Sequence, residues 1–391
     1  MFYGEKLKQL RELNGFSRRE LANRVNVSEQ AIGQYENDQA TPRLDVLNKL
    51  PDIFNVYIDF FDSPSFVEDN IISEGAIAYR TKDRSSQKKT SNELEYIAYA
   101  KFFIDYFNSW VTSNIGGFSD LKRQVDNYVQ KYGEMDIEKI AEIARDFFQL
   151  ESNQDLISKL EQSGITILEK DLGLTIDAYS GFTKDQDPYI VLGNIKKTAV
   201  RRNFDLAHEL GHLLLHSYIV MTDLTDKEHK DVERQADMFA SAFLLPKTDF
   251  ISDFLKIERN TNPDFYIELK KKYLVSIAAI EYRAYKLHLL SYQKNRYFWS
   301  QMTKKQYRIF EPLDNKLSPV KPGKVKKLLS FLLDNNLIAV NDISEKFGIT
   351  EKFLINLFDL KNDFFSKYGK NNKYMKQNKI IDLNSIRERL G

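Results

Sequence analysis

The chain has 391 residues, 42% hydrophobic and 29% charged, with no cysteine and a net charge of +1. The composition is that of a soluble globular protein, the length calls for two to four domains, and the longest apolar runs fall far short of the roughly 20 residues that span a bilayer. Zero cysteines exclude disulfides, Cys-ligated zinc and a Cys nucleophile, and the N-terminus M-F-Y-G-E-K-L-K-Q-L-R-E lacks a signal-peptide pattern, so a cytoplasmic protein with no membrane partner is expected.

Charge is unevenly spread. Residues 1–62 hold 8 Lys+Arg and 10 Asp+Glu, a local net of −2, whereas residues 296–391 hold 19 and 10, a net of +9. Five short helical patterns occupy residues 1–62. Leu7, Leu10 and Leu13 mark the first, which Asn14-Gly15 ends. Ser17 and Glu20 form a capping box for the second, and Asn26 takes the left-handed turn after it. Ser28 caps the third, Thr41-Pro42 starts a fourth with Leu44, Leu47 and Leu50, and residues 56–61 form a fifth. Two helices joined by a short turn describe a helix-turn-helix.

The run L-K-Q-L-R-E-L-N-G-F-S-R-R-E-L-A-N-R-V-N-V-S-E-Q-A-I-G-Q-Y-E-N resembles the XRE (phage-repressor-like) DNA-binding family along its whole length. The resemblance implies a recognition helix over 28–37 that begins at Ser28 and turns Glu29, Gln30, Ala31 and Gln34 toward base edges. It also implies an Arg18 that meets the backbone or an outer base. Gln30 has the chemistry to pair bidentately with adenine. Lys8, Arg11, Arg18, Arg19, Arg24 and Arg43 would supply a local basic face despite the net −2. A helix-turn-helix kept for dimerisation or docking is the competing reading.

Residues 63–134 form a connector. The polar stretch 82–90 (K-D-R-S-S-Q-K-K-T) is expected to be an exposed loop and a plausible site for self-cleavage. Two helical patterns follow, split near Asn114-Ile115-Gly116-Gly117. The first carries an aromatic stripe, Tyr96, Phe103 and Phe107 with Ala100 and Ile104, which reads as packing between domains or subunits.

Residues 135–293 make the third segment: two helices, short strands at 164–168, 174–179 and 189–192 in a small antiparallel sheet, then F-D-L-A-H-E-L-G-H-L-L-L-H over 204–216. His208 and His212 are spaced i, i+4, so they share a helix face and can hold one Zn²⁺, with Glu209 beside them to polarise a water. Three of the five histidines of the chain fall within these residues. His216, two turns past His208, is rotated by about 80° and displaced by ~12 Å. It is therefore expected to pack or hydrogen-bond nearby rather than ligate. A catalytic zinc takes three protein ligands, and the i, i+4 pair Glu233 and Asp237 in E-R-Q-A-D-M-F-A offers Glu233 as the third, with Asp237 orienting a histidine from behind.

H-E-L-G-H-L-L-L-H at 208–216, E-R-Q-A-D-M-F-A at 233–240, L-L-P at 244–246 and V-S-I-A-A-I-E-Y-R at 275–283 together resemble the ImmA/IrrE family of gluzincin-like zinc peptidases. The likeness covers about residues 135–290. It implies Zn²⁺ at His208, His212 and Glu233, with Glu209 as the general base that passes a proton from water to the leaving amine. Tyr179, Tyr189, Arg201 and Arg202 are nearby polar candidates for oxyanion stabilisation.

Residues 294–391 form a basic helical domain. Positions 299–319 are irregular and aromatic, 324–335 helical, and 340–360 have a second helix-turn-helix rhythm with Gly348 in the turn and Thr350 as cap. Lys361, Lys367, Lys370, Lys373, Lys376 and Lys379 trail it, which suits a nucleic-acid surface, a protein-docking or sensor module, or a solvated lid. The expected fold is thus α+β, mainly α with a small sheet: an XRE-type helix-turn-helix, an H-E-x-x-H metallopeptidase and a helical C-terminal domain. The expected work is limited cleavage of a repressor or another regulatory protein in a stress, phage or defence switch, with DNA as a second partner and a homodimer allowed. A DNA-binding regulator that senses metal or ligand without hydrolysis is the alternative.

Overall fold

In the computed structural model, which describes residues 1–68, 85–112, 117–133, 135–174, 176–195, 198–219, 221–368 and 381–382, the first three helical patterns become α1 (Gly4–Leu13), α2 (Arg18–Val25) and α3 (Glu29–Glu36). Ser17 and Glu20 close the capping box, Asn26 turns left-handed at φ 62°, and the Ser28 hydroxyl accepts the Ala31 N–H at 3.1 Å. Leu7, Leu10, Leu21, Val25 and Ile32 meet in the core. The fourth pattern divides into α4 (Leu44–Leu47) and α5 (Leu50–Phe54). Pro51 has no N–H to continue the first ladder, so the helix restarts around it. The fifth pattern is a 3₁₀ turn, Ile58–Asp62.

Helix α6 (Ser85–Asn108) overturns part of one expectation. Residues 85–90 are helical, not an exposed loop, because no Gly or Pro interrupts the chain from 85 to 108. Residues 82–84 lie outside the described residues. A two-residue strand, β1 (Val111–Thr112), follows.

The chain then forms α7 (Phe118–Tyr132), α8 (Ile137–Phe148), α9 (Leu156–Gln162), β2 (Thr166–Lys170), β3 (Ala178–Phe182) and β4 (Pro188–Gly193). The sheet is mixed, with order β2-β4-β3. β3 and β4 make an antiparallel hairpin, and β2 pairs parallel to the other edge of β4, which corrects the all-antiparallel expectation. Leu174 is exposed in the turn that Gly173 opens at φ 74°, so β3 starts later than the apolar run suggested. Next come α10 (Ala199–Leu215), α11 (Asp226–Leu244), α12 (Lys247–Phe254), α13 (Ile267–Tyr273), α14 (Ile277–Lys286) and α15 (Tyr292–Lys304). Trp299 therefore lies in a helix, not in irregular chain: Ser291 caps α15, and Phe298 and Met302 are buried one turn apart. Leu206, Leu210, Phe239, Phe243, Ile277 and Ile280 belong to one continuous core.

After Gly323 the chain forms α16 (Lys324–Asp334), α17 (Val340–Phe347), α18 (Glu351–Leu357) and β5 (Ile381–Asp382), which pairs parallel with β1. The contacts divide the molecule into two compact units, Met1–Asn114 with Gly323–Gly391, and Ile115–Pro322. Both the connector 63–134 and the basic region 294–391 are thereby split between units.

In the first unit the turn between α17 and α18 docks on the end of α5. Tyr57 N–H donates to Gly348 O at 2.7 Å, and Thr350 donates both its N–H and its hydroxyl to Asn55 O. The Thr350 hydroxyl is thus spent on Asn55 and not on capping α18. Gly348, at φ 65°, is required twice over, since a Cβ there would stand 2.8 Å from Phe60 Cα. The aromatic stripe of α6 completes the joint: Phe103 meets Phe66, Phe107, Phe347 and Phe353. Phe353, Leu354, Ile355 and Leu357 are all buried, which leaves α18 only a narrow exposed face of Glu351, Lys352 and Asn356. Helix α18 is therefore a packing element of the first unit, with few side chains free for any of the three roles expected of this region. Lys361 and Lys367 are exposed, and Lys370, Lys373, Lys376 and Lys379 lie outside the described residues.

Phe103→Ala should remove ~3–5 kcal/mol from the first unit, the usual cost of emptying a buried Phe site. A urea titration followed by Trp110 fluorescence in a Trp299→Phe background reads that unit. An unchanged midpoint would show that α6 does not hold the two ends of the chain together.

Candidate metal centre

Thr198 starts α10 by accepting the Arg201 N–H at 3.3 Å, and a Thr225–Glu228 capping box starts α11. Leu206, Leu210, Leu213 and Leu214 bury one side of α10, and Ala236, Phe239, Ala240 and Phe243 one side of α11. Where the helices meet, a Cβ on Gly211 would lie 3.1 Å from Phe239 Cδ1 and 3.4 Å from Ala236 Cα, so a side chain there would require the Phe239 ring to give by a few tenths of an ångström.

That approach gathers three donors. His208 Nε2 and His212 Nε2 are 3.0 Å apart, and the Glu233 carboxylate reaches 3.5 Å from the first and 3.6 Å from the second. Among the described residues this is the single group of three or more His, Cys, Asp or Glu side chains able to hold a metal. Ligand atoms about 2.0–2.1 Å from a tetrahedral zinc lie roughly 3.3 Å from one another, so the separations fit one ion. Asp237 Oδ1 sits 2.9 Å from His208 Nδ1, which leaves the Nε2 lone pair for the centre. His216 stands behind His212, Nδ1 to Nδ1 at 3.0 Å, with its Nε2 2.9 Å from Gln235 Oε1. Burial lowers the His216 pKa, opposed by the hydrogen bond to Gln235.

Glu209 is held from the sheet. Ser180, on the edge strand β3, donates its hydroxyl to Glu209 Oε2 at 2.7 Å. No sequence pattern marked Ser180, because the contact depends on how β3 lies along α10. Asp205, one turn before Glu209, was also missed. Burial pushes its pKa up to about 7, opposed by Arg201 and assisted by Asp177 and Glu209.

The other polar candidates make the following contacts. Arg202 and Glu169 form a buried ion pair at 3.0 Å, Arg201 pairs with Asp177, and the buried rings of Tyr179 and Tyr189 pack edge to face at 6.3 Å.

On the N-terminal domain, Glu29 and Gln30 are exposed and Ala31 and Gln34 half-buried on α3, while the Ser28 hydroxyl is used in its own cap. Arg18 pairs with Glu36 at 2.7 Å. Arg11 pairs with the same buried carboxylate and is itself buried, which removes it from the expected phosphate-facing set. Lys8, Arg18, Arg19, Arg24 and Arg43 are exposed.

Comparison with known proteins finds two domain models on this chain. A helix-turn-helix matches residues 7–61, and the IrrE N-terminal-like domain matches residues 160–285. Two relatives come from Bacillus subtilis (strain 168). The "SPbeta prophage-derived uncharacterized HTH-type transcriptional regulator YonR" is 28% identical over 107 residues, 27% of this chain and 99% of that protein. The "HTH-type transcriptional regulator ImmR" is 33% identical over 60 residues, 15% of this chain and 47% of that protein. A solved "Mycobacterium tuberculosis transcriptional regulator" is 16% identical and overlaps 42% of this chain and 51% of its own at a TM-score of 0.29, too loosely to carry an argument. The chain joins a helix-turn-helix of the XRE type, at residues 7–61, to a domain of the IrrE/ImmA-like family, at residues 160–285.

Proposed function

We propose that this is a cytoplasmic DNA-binding regulator whose IrrE-like domain is a zinc-dependent endopeptidase. Its substrate class would be a repressor or another regulatory protein, cut at a limited site. One observation carries the reading: the donors of His208, His212 and Glu233 converge within 4.8 Å of one another, and Glu209 is the next residue after the first of them. His208, His212 and Glu233 would hold the zinc, which when bound would supply Lewis-acid chemistry at a peptide carbonyl and at water. Glu209, held by the Ser180 hydroxyl, would accept a proton from the attacking water and pass it to the leaving amine. Asp237 fixes the ring of His208, so one imidazole lone pair faces the centre. A domain that only sensed metal would have no use for a carboxylate anchored at Glu209.

Purified protein should take up about one Zn²⁺, and removing it with a chelator should lower the melting temperature, since a ligand that binds only the native state stabilises it. Glu209→Gln should keep the metal and lose cleavage of the repressor substrate. Continued cleavage by that variant would remove Glu209 from the mechanism, whereas a wild-type chain that binds zinc and cuts nothing would favour the sensor reading.

DNA binding is assigned to α3. Replacing both Gln30 and Gln34 by Ala should weaken operator binding by at least ~10-fold in a gel shift, since a good bidentate contact discriminates by about 1–3 kcal/mol. A wild-type chain with no affinity for promoter DNA near its own gene would leave the domain as a docking module.

A further inference from the structure

We infer that Gln235 and His216 set the tautomer of His212, and thereby keep its Nε2 open to a divalent metal. The inference rests on the zinc reading above and adds two residues outside the H-E-x-x-H run.

A neutral imidazole carries one N–H, and the hydrogen bond at one nitrogen decides which atom of the other is left as a lone pair. His212 Nδ1 and His216 Nδ1 are 3.0 Å apart, so one of the two must donate. Gln235 sets the direction. Its Oε1, 2.9 Å from His216 Nε2, can only accept, so His216 carries its proton on Nε2 and presents a bare Nδ1. His212 must then donate from Nδ1, which leaves a lone pair on its Nε2. Asp237 imposes the same state on His208 through Nδ1.

Two lone pairs therefore face each other at 3.0 Å, with the Glu233 carboxylate 3.5 Å from one and 3.6 Å from the other. That arrangement is repulsive by itself and becomes favourable around a cation. Turning the Gln235 amide over would have it donate to His216 Nε2, reverse the whole chain and put a proton on His212 Nε2. The site would then be closed to metal. His216, 3% exposed, has no freedom to turn away, whereas Gln235 is half-buried on α11 beside Glu233. The two are positioning residues, acting on the ligand rather than on the ion.

The test is zinc affinity of the full chain, measured by competition with a chromophoric chelator, alongside the visible spectrum of the cobalt(II) form. His216→Leu should weaken zinc binding ~10–100-fold, the usual effect of removing a partner of a ligating histidine. His216→Asn, whose Oδ1 replaces the Nδ1 acceptor, should recover most of that loss. Gln235→Leu should weaken binding and broaden the cobalt bands, and Gln235→Glu, which can only accept, should bind at least as tightly as wild type. If His216→Leu does not fold, the two Gln235 variants carry the test at a partly exposed position. Wild-type affinity and spectra in both Leu variants would overturn the relay and leave the zinc site standing. A wild-type chain that takes no zinc would overturn both.

Discussion

The close approach of α11 to α10 at Gly211 is the constraint on which the site depends. Glu233 and the two histidines come from different helices, and their donor atoms meet where Gly211 lets Phe239 and Ala236 sit close against the α10 backbone. The gathering has an electrostatic cost. Glu209, Glu233 and Asp237 crowd three carboxylates around two imidazoles, with Asp205 a turn away. The apolar ladder that fixes the register outweighs it: Leu206, Leu210, Phe239, Ala240 and Phe243 are each fully buried, and a large buried side chain contributes about 1.5–3 kcal/mol. Sliding α11 by one residue would rotate its faces by about 100° and take Glu233 out of reach, while also exposing Phe239 and Phe243. Packing and the proposed metal site therefore call for the same register.

This explains which parts of the site could be read from the chain alone. His208 with His212, and Glu233 with Asp237, are i, i+4 pairs, and such pairs share a face whatever the rest of the fold does. The rotation argument that kept His216 from being a third ligand was local in the same way. What it could not supply was Gln235, whose position opposite His216 depends on the helix-helix register. Ser180 is further out of reach: 29 residues from Glu209, it arrives only when β3 pairs with β4 and lies along α10. The sheet's mixed character belongs to the same class. Strand segments are visible as apolar runs, but whether β2 joins β4 parallel is decided by which edge the β3–β4 hairpin leaves open.

The first unit shows a different limit. Residues 340–360 carry helix-turn-helix spacing with a left-handed glycine, and the local geometry is indeed two helices about a tight turn. Yet four apolar residues within Phe353 to Leu357 are too many for a helix with one face in a groove and the other in its own core. Their number signals burial on both sides, by α6 and by the body of the unit, and the partner lies some 250 positions away in sequence. The α3 helix differs in kind: Ile32 and Tyr35 are buried while Glu29 and Gln30 face outward.

Electrostatics bear on how such a face would read DNA. Glu36 is fully buried and takes both Arg11 and Arg18, so two cations of an already acidic domain are held against the protein. A buried ion pair is weak evidence for stability, because desolvation offsets most of the attraction, but it is good evidence for orientation. Here it lays the Arg18 guanidinium across Gly33, 3.9 Å from where a Cβ would stand, and so fixes α2 against α3. Phosphate neutralisation would then rest on Lys8, Arg19, Arg24 and Arg43, with Arg18 exposed but paired to Glu36. With the non-specific term reduced, discrimination between sites would rest on the few polar side chains of α3 and on the rigidity with which Glu36 holds that helix in place.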